Sequence, residues 1–131
     1  MPSLRRARLI GASFTALGLS ALLPAAATAQ AGDAANGTKL YAQCKICHAT
    51  EAGKNGLGPT LRGVVGRKAA TVAGFNYSPA MKAAALTWNE ATLQAYLTAP
   101  MKKVPGTKMA FAGVANPKNR ADIIAYLKTL K

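Results

Sequence analysis

Apolar residues recur at helical spacing in three stretches of the chain. Toward the C-terminus, Ile123, Tyr126, Leu127 and Leu130 stand three and four apart, which puts them on one stripe of a helix. That helix has a start signal, with Asn116 as N-cap and Pro117 in the first turn, where a missing N–H costs nothing. Upstream, Thr87-Trp88-Asn89-Glu90 reads as a capping box, and the helix it opens buries Leu93, Tyr96 and Leu97 before Pro100 stops it. A third helix is predicted from Asp33, a good N-cap, with Gly37, Leu40, Tyr41, Cys44 and Cys47 on neighbouring turns. Ser78-Pro79 begins a shorter one. Between these elements run Gly- and Pro-rich segments, notably Gly53 to Gly66 and Pro100 to Pro117, and no stretch alternates with the period of a strand. The pattern predicts an all-α domain whose long loops wrap an object, because long ordered loops in a small domain have a functional reason.

The first thirty residues follow a different logic. Arg5, Arg6 and Arg8 form a basic head, Leu9 to Leu23 is an apolar run, and small residues surround Ala27-Thr28-Ala29. This is the layout of a secretory signal peptide, and the run is short of the ~20 residues that a membrane span needs. Residues 1–29 are therefore read as a signal removed on export to the periplasm, and residues 30–131 as the mature domain. Of 131 residues, 17 are Lys or Arg and 4 are Asp or Glu, for a formal charge of +13 at pH 7. The signal takes three arginines and no acid with it, so the mature chain stays strongly basic. Such a balance suits nucleic acid, an anionic membrane face or an acidic protein. Export, and the lack of aromatics interleaved among the basic residues, argue against nucleic acid.

The reactive residues are few and adjacent. The chain has 2 cysteines and 1 histidine, and all three lie in Cys44-Lys45-Ile46-Cys47-His48. Positions i, i+3 and i+4 share a helical face. A thioredoxin-like redox pair would want a preceding strand, and none is predicted. A zinc site would want a fourth ligand, or three plus water, from a chain that has no further Cys or His. A local disulfide beside an unrelated histidine is the plainest alternative. C-x-x-C-H is also the signature of covalent haem attachment, in which two thiols bond the porphyrin edge and the imidazole takes the iron. Haem would supply the core that so small a domain otherwise lacks. The second axial position cannot be another histidine of this chain. Met81, Met101, Met109, a lysine, or no protein ligand remain. Met109 ends the turn sequence Pro105-Gly106-Thr107-Lys108-Met109, which can hold a side chain inward; Met81 falls in the short helix and Met101 near solvent.

From Gly32 to Lys131 the chain resembles class I cytochromes c of the mitochondrial and alphaproteobacterial type. The match is carried by Cys44-Lys45-Ile46-Cys47-His48, Gly58-Pro59-Thr60-Leu61, Gly66-Arg67-Lys68, Gly74-Phe75-Asn76-Tyr77, Thr87-Trp88, Tyr96-Leu97, Pro105 to Met109 and Ile123 to Leu127, in family order. The resemblance implies three main helices, a short helix and long loops around one haem c bound through Cys44 and Cys47. It implies His48 and Met109 as iron ligands, with the Pro59 carbonyl taking the proton of the far His48 nitrogen. It further implies Arg67, Tyr77 and Trp88 at the haem propionates, Tyr96 and Thr107 near the methionine sulfur, Phe111 screening one side, and Gly37 and Tyr41 where the first helix crosses the last. Met81 stands where the family often has an Asn that helps hold a buried water, and Ala70 and Ala73 replace a usual Gly and Pro.

The function so implied is that of a monomeric one-electron carrier and not an enzyme. Lys45, Lys102, Lys103 and Lys108 lie in sequence around the two ligand segments and are expected to ring the haem edge. They would meet acidic docking faces of membrane redox complexes: a quinol-oxidising complex or dehydrogenase on one side, an oxidase or photosynthetic reaction centre on the other. Transient contact with a membrane surface is compatible with this. The rival is a small haem peroxidase with a labile sixth ligand, for which the chain has no spare histidine.

Overall fold

The computed structural model describes residues 31–131; the expected signal segment, residues 1–29, lies outside the described residues. Six helices follow in order: α1 (Ala34–Leu40), α2 (Ala42–Lys45), α3 (Pro79–Ala83), α4 (Glu90–Thr98), α5 (Pro100–Lys103) and α6 (Pro117–Leu127). Among the described residues there is no strand, only an isolated antiparallel bridge between Lys68 and Thr87.

Two local readings need correction. The N-terminal helix is not continuous: it breaks at Tyr41, whose carbonyl accepts from both Cys44 N–H (2.8 Å) and Lys45 N–H (3.0 Å), so that α2 starts afresh. Thr87 does not cap α4; Asn89 does, its side chain accepting from Thr92 N–H, because Thr87 is held in the bridge to Lys68. Pro100 lies beyond the end of α4, and it also opens α5 from its first position, where proline is tolerated. The other three predicted starts match: Asp33 accepts from Ala35 and Asn36 N–H at α1, Ser78 accepts from Met81 N–H at α3, and Asn116 accepts from Lys118 and Asn119 N–H at α6.

The frame is a crossing of α1 over α6, with α4 also packed on α6. Gly37 makes the approach possible, since a Cβ there would stand 2.0 Å from the Asp122 carbonyl oxygen. Tyr41 and Tyr126 then meet with ring centroids 5.0 Å apart. The buried face of α6 is wider than the predicted stripe and includes Ile124 and Asp122. Asp122 carries the α1 end of the crossing: it accepts from Asp33 N–H (2.7 Å) and Asn36 Nδ2 (2.7 Å), and from Lys118 Nζ one turn earlier. Burial of Ile123, Ile124 and Leu127 on α6, Leu93 and Leu97 on α4, and Tyr41 at the end of α1 joins the three helices into one core. Each such aliphatic side chain contributes roughly 1.5–3 kcal/mol against exposure.

Candidate functional site

Helices α2, α3, α4 and α6 and the loops around Pro59, Tyr77 and Met109 enclose a cavity of about 680 Å³ between the CxxCH turn and the segment that carries Met109. Its wall is mainly apolar, with Val64, Leu93, Leu97, Ile123 and Leu127 reaching it from the core. The lining therefore suits a bulky, largely apolar group that is part of the fold.

The CxxCH turn is held at one wall. After α2, the Cys44 carbonyl accepts from Cys47 N–H (3.1 Å) and His48 N–H (3.0 Å), which keeps both thiols and the imidazole on the cavity side. The two cysteines do not pair in a disulfide. Burial first, and then the neighbouring Cys47, push the Cys44 thiol up to about 11. A redox-active CxxC needs the opposite, a thiol lowered toward the thiolate, so the thioredoxin-like alternative does not fit. Nor does zinc: among the described residues no three His, Cys, Asp or Glu side chains converge on a metal site.

His48 is oriented by what surrounds it. Its Nδ1 lies 2.7 Å from the Pro59 carbonyl. A carbonyl only accepts, so Nδ1 carries the proton and Nε2 keeps its lone pair. Burial lowers the imidazole below its ordinary value, partly opposed by the Pro59 bond, and favours this neutral form. Gly58 forms the cradle, because a Cβ there would stand 2.4 Å from Cε1 of the ring. The loop that carries Gly58 and Pro59 is tied back by Gly58 N–H to the Cys47 carbonyl (2.9 Å), Leu61 N–H to the Ala49 carbonyl (3.0 Å) and the Thr60 hydroxyl to the Glu51 carbonyl (2.7 Å). From the other side the Tyr41 hydroxyl donates to the His48 carbonyl at 2.9 Å. Burial, above all, raises that phenol far beyond its ordinary value.

The opposite wall holds Met109. Tyr96 donates its hydroxyl to the Met109 sulfur at 3.3 Å, and the Thr107 hydroxyl accepts from Met109 N–H at 3.3 Å. Burial raises the Tyr96 phenol, and the Thr107 hydroxyl beside it works against that shift. Beyond Met109 the chain returns to α4 through Val114 N–H to the Leu97 carbonyl (2.7 Å), and Gly113 permits the close pass. Met81 is buried and lines the same cavity, whereas Met101 is 53% exposed and does not.

At the remaining edge stand Arg67, Tyr77 and Trp88. Arg67 donates to the carbonyls of Arg62 (2.7 Å) and Thr60 (2.9 Å), Tyr77 accepts from Val72 N–H (3.3 Å), and Trp88 packs against Tyr96 at a tilt of 58° with centroids 4.8 Å apart. Burial works against the Arg67 charge, and Tyr77 partly offsets it. The bridge at Lys68 and Thr87, with Trp88 N–H bonded to the Arg67 carbonyl (2.9 Å), sets Arg67 and Trp88 side by side.

This arrangement, two thiols and an imidazole facing a thioether across an apolar cavity, agrees with the comparisons. The family model "Cytochrome c" matches residues 34–131. The chain belongs to the cytochrome c family. It is 51% identical to cytochrome c2 of Rhodomicrobium vannielii over 111 residues, covering 84% of this chain and 89% of that protein. It is 52% identical to cytochrome c of Chlamydomonas reinhardtii over 104 residues, covering 78% of this chain and 93% of that protein. Among solved structures it superposes on cytochrome cH from Methylobacterium extorquens with a TM-score of 0.71 at 56% identity, covering 75% of this chain and 99% of that one. The fold is that of class I cytochromes c, and the cofactor of this cytochrome is haem c, bound through Cys44 and Cys47. The protein is a single-haem electron carrier, not an enzyme.

All ten residues expected at the cofactor reach the cavity: Cys44, Cys47, His48, Pro59, Arg67, Tyr77, Trp88, Tyr96, Thr107 and Met109. Of the four lysines, Lys108 is at its mouth, donating to the Asn76 carbonyl at 3.1 Å; Lys45, Lys102 and Lys103 are exposed and do not line it. Sequence reasoning missed the Gly58 cradle, the bond from the Tyr41 hydroxyl, and two apolar residues at the cavity, Ile46 (78% exposed) and Leu57 (81% exposed). Gly58 had a signal, a glycine directly before the proline whose carbonyl meets the imidazole.

Proposed function

We propose that this cytochrome is an exported, periplasmic one-electron carrier that links a quinol-oxidising complex or a dehydrogenase to an oxidase or a photosynthetic reaction centre. The observation that carries the reading is the pairing of His48 and Met109 across one cavity, the first with Nε2 free and the second with its sulfur anchored by Tyr96. Haem iron held between an imidazole and a thioether supplies a one-electron couple with the ferrous form favoured. His48 and Met109 would hold the iron from opposite walls of the cavity and leave no place on it for a substrate. Pro59 fixes the imidazole, and Thr107 and Tyr96 fix the thioether, which keeps the change of geometry between oxidation states small. Arg67, Tyr77 and Trp88 are assigned to the propionates.

Lys45, Lys102, Lys103 and Lys108 form the docking ring in this reading, supported by their exposure around the ligand segments. Their partners are acidic faces of membrane redox complexes, met by weak, fast, electrostatically steered encounters. No helix among the described residues is long and apolar enough to cross a membrane. Residues 1–29 supply the export signal, which mass spectrometry of the exported protein would check.

The deciding experiment is the optical spectrum of the exported holoprotein, oxidised and reduced, with and without carbon monoxide. A low-spin spectrum, a far-red iron–sulfur charge-transfer band and indifference to carbon monoxide are expected. High-spin iron that binds carbon monoxide would overturn the closed site and bring a peroxidase forward.

A further inference from the structure

We propose that Tyr41 is a positioning residue for the axial ligand His48, acting from outside the cavity through its hydroxyl. The inference rests on the assignment of His48 to the iron. Tyr41 holds the CxxCH turn at both ends. Its carbonyl accepts from Cys44 and Lys45 N–H and starts the turn. Its hydroxyl reaches forward seven residues and donates to the His48 carbonyl at 2.9 Å, closing the turn. Between them, the Cys44 carbonyl carries Cys47 and His48 N–H. The result is a closed ring of hydrogen bonds around the segment that presents two thioether positions and one imidazole.

The hydroxyl is not needed for packing. The Tyr41 ring is buried at the α1–α6 crossing against Tyr126, at 5.0 Å and 53°, and a phenylalanine would fill the same place. What the oxygen adds is a partner for the His48 carbonyl, which accepts no backbone bond among the described residues. A part-buried carbonyl without a partner is costly, and one that can shift to find another would move the residue it belongs to. The two holds on His48 are complementary. Pro59 takes Nδ1–H and sets the ring's rotation, while Tyr41 sets the backbone from which the ring projects. Because Tyr41 is also the residue where α1 ends against α6, the helix crossing and the axial ligand share one side chain.

The hydroxyl also has an electrostatic consequence. Its proton offsets the negative end of the carbonyl dipole of His48, the residue whose imidazole would hold the iron. Without it, that partial charge favours ferric iron, and the reduction potential falls.

The test compares Tyr41→Phe with Tyr126→Leu in the holoprotein, measuring reduction potential, hyperfine-shifted proton resonances of the ferric state, and Tm. Tyr41→Phe should lower the potential and move the His48 and haem-methyl resonances. Tyr126→Leu, which damages the same crossing but leaves the hydroxyl, should lower Tm and leave both other readouts in place. If Tyr41→Phe changes Tm alone, or if both variants move the potential and resonances alike, the role is packing and the proposal is overturned. A wild-type protein without low-spin, six-coordinate iron would overturn the carrier reading itself, before any variant is made.

Discussion

The Tyr96 hydroxyl donates to the Met109 sulfur at 3.3 Å, from α4 across to the loop that precedes α6. A sulfur that shares its lone-pair density with a proton is a poorer donor to ferric iron, so with Met109 on the iron as proposed the bond would favour the ferrous state. Tyr96→Phe keeps the ring against Trp88 and removes only the donor. If a neutral hydrogen bond differs by about 1 kcal/mol between the two oxidation states, the potential should fall by about 40 mV. Potentiometric titration of the two proteins measures this directly, and an unchanged potential would mean that the bond does not bear on the iron.

Gly58 is pressed on the His48 ring, where an added Cβ would stand 2.4 Å from Cε1 and 2.6 Å from Nδ1. The ring cannot yield without losing its bond to Pro59, and the Gly58 backbone is tied to the Cys47 carbonyl. Gly58→Ala should therefore cost about 1–3 kcal/mol of stability, the usual range for overpacking, and should disturb the low-spin spectrum as well. Thermal unfolding and optical spectra together check it; normal stability with a normal spectrum would show that the cradle gives.

Much of this was legible in the sequence, and the reasons differ between elements. α6 was readable because its cap, its proline and its stripe all point to one helix. α1 and α2 read as a single helix because nothing local marks Tyr41 as a break; the break arises where that residue turns its carbonyl to the CxxCH segment and its ring to Tyr126. Thr87 looked like a cap until its backbone was taken by Lys68, a residue 19 positions away whose loop carries no pattern of its own. Asp122 was passed over because its partners, Asp33 and Asn36, are almost the full domain away in sequence. Cys44, Cys47 and His48 stood out through scarcity and spacing, whereas the choice among three methionines turned on the resemblance. The second hold on His48 was invisible, since a tyrosine at a helix crossing reads as core.

Asp122 predicts a stability limb in acid. The Asp33 N–H first, then Lys118 and Asn36, lower its carboxyl to about 2, while an unfolded aspartate titrates near 3.9. The folded value is the lower one, so its stabilisation is complete above about pH 4 and is lost as pH falls toward 2. Asp122→Asn should be less stable at neutral pH, and the gap to wild type should narrow through that window. Chemical denaturation at several pH values between 2 and 6 measures the gap. A constant difference would remove Asp122 from the acid response.

Ala85 sits just past α3 with φ +50, in the left-handed region. A non-glycine residue there costs roughly 1–2 kcal/mol, and glycine would give back about 0.5–1 kcal/mol through the freedom of the unfolded chain. Its side chain is exposed, so no packing is lost. Ala85→Gly should thus gain up to about 1 kcal/mol, or about 4–8 °C in Tm for a domain of this size. The position is remote from the iron ligands in sequence and outside the cavity wall, so the potential should stay where it is. A lower Tm would show that the left-handed conformation carries no penalty in this turn.

The docking ring predicts a salt dependence with a spatial signature. Lys102 and Lys103 stand exposed on α5, and Lys45 is exposed inside the CxxCH turn. Charges around an electron-exit edge accelerate encounter with an acidic partner, and that acceleration is screened once the Debye length shrinks to about 8 Å near physiological ionic strength. Stopped-flow oxidation by an acidic redox partner should slow by about tenfold or more as ionic strength rises from low to moderate values. Lys102→Gln should slow the low-salt rate and flatten this dependence, while Lys118→Gln should leave both nearly unchanged, since Lys118 is committed to Asp122 and lies outside the proposed ring. Equal effects from both substitutions would mean that overall charge, not a docking ring, sets the rate. A rate independent of salt in the wild type would remove the lysines from docking altogether.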